Sequence, residues 1–243
     1  MNLHRFYCEV INQPVMELAG VEARHLARVL RLAVGERVEL FDGKGTVAIA
    51  VIKNVSSKKV TLQFEDVKVF PKPDEKIILA VSVAKGERFD WLIEKCTELG
   101  VDRIVPVLFG RTVKQPKNPK IIERWSNIAI SAAKQSRRAF LPQIDKLFVL
   151  AEAIEILKKD CPQAQLIYGG LSENSKPILQ CGFAGRDVAV FVGPEGGLTA
   201  EEDNLLREND AKEVRLTNTV LRVETAAIAF ASVLMAQRGA CPL

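Results

Sequence analysis

The chain has 243 residues, 48% hydrophobic and 26% charged, with a formal net charge of +4, which suffices for one large or two modest domains. No apolar run is long enough to span a bilayer, and the opening MNLHRFYCEV lacks the layout of a signal peptide, so a cytosolic protein without membrane partners is expected. Five widely spaced cysteines with no C-x-x-C pair read as free thiols; no disulfide framework and no metal are expected.

Residues 1–72 predict a β-rich unit, a small barrel or closed sheet. Residues 37–41, 47–52 and 60–64 alternate or run apolar, and Asp42-Gly43-Lys44-Gly45 supplies a turn between the first two. A helical insert over 21–32 should bury Leu26, Val29 and Leu30 and carry Arg24, Arg28 and Arg31 along its other face. That stripe suits either a solvated surface or a phosphate grip. His25 lacks an acidic or thiol neighbour in sequence, so it reads as a structural or RNA-edge histidine.

Pro71 and Pro73, followed by Asp74, Glu75 and Lys76, break any sheet and place a domain boundary between 72 and 73. Residues 73–243 then alternate strands (77–84, 104–108, 165–168, 187–192, 213–216) with helices (89–99, one opened by Asn118-Pro119, 151–159, 200–207, 223–237). Such alternation predicts an α/β unit with a parallel sheet covered on both faces, which binds ligands at the carboxyl ends of its strands. The last helix is apolar nearly all round, so a partner subunit should cover part of it. Between Arg111 and Lys146 nine cations face two acids, an excess of +7 carried mainly by the 109–117 loop and the 134–138 helix end.

The stretch FVGPEGGLTAEE, 191–202, organises the second unit. A buried strand ends in glycines, and Thr199 stands three residues before Glu202, the spacing of a capping box that opens a helix at Ala200. Gly193, Gly196 and Gly197 present no side chain there, which fits a ligand against free backbone N–H groups or a tight βα turn.

Together with LTNTVLRVETAAIAF at 216–230, this stretch resembles the signature of the SPOUT superfamily of RNA methyltransferases. More narrowly, the chain resembles the bacterial 16S ribosomal RNA uridine-N3 methyltransferase family. The likeness is carried by HLARVLRL at 25–32, KGERFDWLIEKCTELGV at 85–101, RTVK at 111–114 and RWSNIAISAAKQSRR at 124–138 as well. Leu216-Thr217-Asn218-Thr219 departs from the leucine–glycine pair that members tend to carry.

The resemblance implies a C-terminal trefoil-knotted α/β domain beside an N-terminal RNA-binding domain of PUA or OB type, a homodimer, S-adenosylmethionine (SAM) as cofactor, and 16S rRNA of the small subunit as partner. It implies a cofactor site of Leu166, Tyr168, Gly169, Val192, Gly193, Pro194, Glu195, Gly196, Gly197, Leu216, Asn218, Val220 and Leu221. RNA contacts are expected from Arg24, His25, Arg28, Arg31, Lys85, Arg111, Lys114, Arg137 and Arg138, and catalytic roles from Arg222, Glu224 and Arg5. For Arg222 and Glu224 an ion pair with each other or with Glu195 is the alternative. Two other classes compete. A dinucleotide-dependent dehydrogenase needs an early G-x-G-x-x-G that the chain lacks, and a non-catalytic RNA-binding protein leaves the glycine loop unused. Another SPOUT activity, ribose methylation included, is the nearer alternative.

Overall fold

The computed structural model describes residues 3–11, 14–56, 58–84, 86–113, 118–183 and 185–238. The chain divides into two units, Met1–Lys72 with Ala133–Leu141 and Pro73–Ala132 with Pro142–Leu243.

The first unit holds β1 (Arg5–Tyr7), β2 (Val15–Ala19), β3 (Arg37–Phe41), β4 (Thr46–Val55) and β5 (Lys59–Val69), ordered β1-β3-β4-β5-β2. Alternation along β3, β4 and β5 turns Val38, Leu40, Ala48, Ala50, Ile52, Val60 and Leu62 into one core with Phe6, Leu18 and Leu26. Register shifts between β4 and β5, at Ile49/Ala50 and Ile52/Asn54, bend these long strands and curl the sheet. Asp42 Oδ1 accepts from the backbone N–H groups of Lys44 (2.7 Å) and Thr46 (2.9 Å), which closes the expected β3–β4 turn.

The insert departs from a regular α-helix. After α1 (Gly20–Arg24), residues His25–Leu30 form a π-helical turn that Arg31 ends in the left-handed region at φ 55°. The wider i→i+5 spacing rotates side chains relative to an α-helix. Leu26 is buried as expected, but Val29 is 70% exposed rather than buried.

The second unit contains, in chain order, β6 (Ile77–Ser82), α2 (Arg88–Leu99), β7 (Arg103–Leu108), α3 (Ile121–Ser136, its last residues counted with the first unit), β8 (Gln143–Ile144), β9 (Phe148–Val149) and α4 (Leu150–Asp160). It continues with β10 (Gln165–Gly169), β11 (Lys176–Pro177), β12 (Val188–Val192), α5 (Ala200–Glu208), β13 (Lys212–Arg215) and α6 (Val223–Arg238). The strands are parallel in the order β11-β13-β10-β12-β6-β7-β8, with β9 also beside β7. Every residue of β6 and β12 is buried, the signature of strands covered on both faces.

On one face Ile78, Ala80, Leu166, Tyr168, Ala189 and Phe191 pack with Leu150, Ile154 and Leu157 of α4 and Leu206 of α5. On the other, α6 lies against β6 and β12 and α2 lies against α6. Helix α6 is less uniformly apolar in effect than its sequence suggests. It buries Val223, Ala227, Phe230, Ala231 and Leu234 and exposes mainly the small Thr225, Ser232 and Ala236. Helix α3 starts two residues after Pro119, because Asn118 first closes a turn, accepting from Lys120 N and Ile121 N. No helix among the described residues is long and apolar enough to cross a membrane. Burial pushes the Cys8 and Cys96 thiols up to about 12, so both are inert core groups.

Gly100 ends α2 at φ +107°, its N–H shared between the Cys96 and Thr97 carbonyls. Replacing it with alanine places a Cβ in the left-handed region and 2.6 Å from the flexible end of Met235. Gly100→Ala is expected to lower stability by about 1–2 kcal/mol, read as an earlier urea midpoint at unchanged slope.

Candidate active site

Strands β13, β10 and β12 are neighbours, so three loops leave adjacent carboxyl ends. They enclose a cavity of about 420 Å³, within the ordinary range for a small-molecule site. The loop after β10 contributes Gly169, Gly170 and Leu171, with Tyr168 below them. The loop after β12 contributes Val192, Gly193, Pro194, Glu195, Gly197, Leu198 and Thr199, and α5 adds Ala200 and Asp203. The third wall is Glu213, Val214, Leu216, Thr217, Thr219, Val220 and Leu221, closed by Ala226 and Phe230 of α6.

The glycines admit this closeness. A Cβ on Gly170 would stand 2.1 Å from Glu213 Oε1, one on Gly193 2.8 Å from Leu198 Cδ2, and one on Gly169 3.0 Å from Phe230. Gly197 needs its φ of +74°, and its N–H donates to Pro194 O at 2.9 Å. The capping box forms as expected: Thr199 N donates to Glu202 Oε2 (2.9 Å) and Glu202 N to Thr199 Oγ1 (3.3 Å). The same carboxylate takes Gly110 N at 2.7 Å, tying the loop after β7 to the start of α5.

Among the described residues, three carboxylates and no lysine, arginine or histidine line the cavity. Tyr168 donates its hydroxyl to Asp203 Oδ1 (2.7 Å), and Arg207 reaches Asp203 Oδ2 (2.7 Å) and Glu213 Oε2 (3.0 Å). Glu213 also accepts from Ser172 N (3.0 Å) and Ser172 Oγ (2.6 Å), which fixes the loop beyond Leu171. Burial and the Asp203 charge push the Tyr168 phenol up, so it stays a donor.

Ten of the thirteen residues expected at a cofactor site line this cavity. Leu166, Gly196 and Asn218 do not. Leu166 lies two residues further from the carboxyl end of β10 and is a core residue. Gly196 turns away: its carbonyl accepts from Arg111 Nη1 at 2.7 Å, and a Cβ there would meet the Arg111 stem at 3.5 Å. Asn218 is exposed at a turn tip between Thr217 and Thr219, where Thr217 Oγ1 accepts Thr219 N (3.1 Å).

Arg222 is exposed and off the cavity. Glu224 is buried and off it too, and its ion-pair partner is Arg88 at 3.8 Å rather than Arg222. Arg5 belongs to the first unit and is committed there. Its Nε lies 3.0 Å from Glu39 Oε1, its Nη1 donates to Ala133 O (3.2 Å), and its guanidinium stacks 4.3 Å from the centre of the Phe41 ring.

Much of the expected basic excess is spent internally. Lys134 pairs with Glu22 at 2.8 Å, Arg124 pairs with Asp90, and Arg137 reaches Glu39 (3.4 Å) and Leu3 O (3.3 Å). Arg138 is half-buried. Arg24, Arg28 and Arg31 are exposed, and His25 meets Phe6 edge-on. Lys85 and Lys114 lie outside the described residues. Among the described residues no cluster of His, Cys, Asp or Glu is placed to hold a metal.

A family model for an RNA methyltransferase domain matches residues 71–235, and one for an RNA methyltransferase PUA domain matches 18–65. The chain belongs to the RNA methyltransferase family. A family member from Synechocystis, named ribosomal RNA small subunit methyltransferase E, is 30% identical over 90% of this chain and 72% of its own length. A methyltransferase from Legionella pneumophila, solved with bound SAM, superposes with a TM-score of 0.87 at 31% identity, covering 97% of this chain and 98% of its own. The small subunit methyltransferase E of Neisseria gonorrhoeae, also solved with SAM, gives 0.87 at 26% identity, with 97% and 98% covered.

Several lining groups of this family member escaped sequence reasoning. Asp203 hides in the acidic first turn of α5 as an ordinary dipole-complementing residue. Glu213 shows no motif, and Ala226 and Phe230 read as helix core. Arg88, off the cavity and paired with Glu195 and Glu224, shows no motif either.

Asp203 is held below the usual carboxylate range, chiefly by its hydrogen bond from Arg207. A depressed carboxyl stabilises the fold above its unfolded pKa of about 4 and loses that contribution as pH falls through the lower folded value. Urea midpoints measured through the acid range should therefore fall less steeply below pH ~4 in Asp203→Asn than in the wild type.

Proposed function

We propose that the chain transfers a methyl group from SAM to N3 of a uridine in the 16S rRNA of the small ribosomal subunit. The observation that carries this reading is the cavity itself, glycine-backed, apolar and lined, among the described residues, by carboxylates without a cation. That lining suits SAM, whose sulfonium is positive and whose purine needs flat apolar walls. Val192, Pro194, Leu198, Val220 and Leu221 would sandwich the purine and thioether chain, while the backbone of Gly169, Gly193 and the 216–221 loop offers its polar groups. SAM brings an activated methyl when bound, so this chain need only orient the acceptor, exclude water and handle the N3 proton.

Uridine N3 is protonated at neutral pH, and a neighbouring cation would favour the anion that develops as the proton leaves. The exposed arginines Arg24, Arg28 and Arg31, with Arg111, Arg137 and Arg138, are the phosphate-gripping candidates, and affinity for RNA should then fall steeply with salt. Residues 1–72 serve as the RNA-binding domain and 73–243 as the methyltransferase domain in this reading. The second domain is a trefoil knot, supported by β10 lying between β12 and β13 while α5 and α6 cover opposite faces. It pairs as a homodimer, with the partly exposed Ile228 and Val233 of α6 in the interface. With ribosomal RNA as substrate it acts in the cytosol.

Two experiments check the reading. Unmethylated small subunits incubated with labelled SAM and digested to nucleosides should yield 3-methyluridine; label in ribose-methylated or carbon-methylated nucleosides instead would replace uridine N3 with another acceptor. For the cofactor site, Gly193→Val should clash with the lining residue Leu198 and abolish SAM binding by calorimetry with the fold retained. Undiminished affinity would remove the loop after β12 from the site.

A further inference from the structure

Glu224, in the first turn of α6, is 6% exposed, and among the described residues its Oε2 has no hydrogen-bond partner. Leaving a buried carboxylate oxygen without a donor is costly, and a native structure that does so usually has a use for it. Its Oε1 lies 3.8 Å from Arg88 Nε, and Arg88 Nη1 lies 3.9 Å from Glu195 Oε1. Glu195 lines the cavity, so one guanidinium separates the Glu224 carboxylate from the cavity wall. Among the described residues Arg88 makes these two ion pairs and no hydrogen bond, and its side chain is 47% exposed. Its donors are therefore available to a ligand.

We propose that Arg88 and Glu224 form the acceptor subsite, beside the cavity that holds the methyl donor. The inference rests on the uridine-N3 reading above. The imide edge of uracil presents an N–H flanked by two carbonyl oxygens, and a carboxylate next to a guanidinium is its complement. Glu224 Oε2 accepts the N3 hydrogen bond and then takes the proton, while Arg88 donates to the adjacent carbonyl oxygen as negative charge moves onto it. The new N3–C bond forms as the C–S bond breaks, with that electron pair going to sulfur. Both are catalytic residues in this scheme, since both touch the reacting base. Glu195 positions Arg88 from the cavity side.

The test uses the full chain and unmethylated small subunits. Single-turnover formation of 3-methyluridine is followed across pH for the wild type, Arg88→Met, Arg88→Lys and Glu224→Gln, with SAM affinity measured by calorimetry in parallel. Arg88→Met and Glu224→Gln should each slow the step by about a hundredfold or more while leaving SAM affinity unchanged, and Arg88→Lys should recover part of the rate. The Glu224→Gln deficit should shrink as pH rises and the imide ionises without a base, which a purely structural carboxylate would not do. Should Glu224→Gln fail to fold, the half-exposed Arg88 pair decides alone. A wild-type rate in Arg88→Met, a pH-independent deficit in Glu224→Gln, or a loss that follows weakened SAM binding would overturn the subsite. Wild-type enzyme labelling a different nucleoside would overturn the uridine-N3 reading beneath it as well.

Discussion

Everything at the site depends on the pairing of β10 with both β12 and β13. Tyr168 sits opposite Phe191 on one side and Glu213 on the other, so three carboxyl ends emerge side by side and their loops must share one space. Parallel pairing of strands far apart in sequence is set by burial rather than by turns. Once Val188–Val192 is buried on both faces, its neighbours and the loops beyond them have few alternative positions.

That shared space is kept open by two kinds of restraint. Glycines let walls approach that any side chain would push apart, as at Gly170 against Glu213. Charged groups then pin the loops from outside the cavity: Arg207 bridges Asp203 and Glu213, Ser172 hangs on Glu213, and Glu202 holds both Thr199 and Gly110. The carboxylates that face inward are satisfied from behind, apart from Glu195, whose ion pair with Arg88 is long and partly exposed. A pocket so built is preorganised on the donor side and adjustable at one edge. In the proposed scheme the adjustable edge is the one that meets the acceptor.

The regular parts of this architecture were legible in the sequence because each obeys a local rule. The strand at 188–192, the Thr199–Glu202 capping box and the Gly100 terminus follow from burial, spacing and the left-handed conformation. The π-helical turn at 25–30 was not legible, since no residue marks a change of helical pitch, and Val29 was misplaced for that reason. Short edge strands such as Arg5–Tyr7 carry too little pattern to register. At the site the glycine loop could be found from its motif, but Glu213, Phe230 and Arg88 could not. Their roles come from tertiary neighbours: Glu213 from Ser172 and Arg207, Phe230 from Gly169, Arg88 from Glu195 and Glu224. The basic excess at 111–146 misled in the opposite direction, because acids distant in sequence, Glu22, Glu39 and Asp90, neutralise part of it.

The central claim is that the loops after β10, β12 and β13 act together as one SAM-binding wall. Hydrogen exchange of backbone amides, followed with and without saturating SAM, tests it most directly. Slowed exchange is expected in 169–172, 193–199 and 216–221 together, with amides of the first sheet unchanged. Protection confined to one of these loops, or centred outside all three, would contradict it.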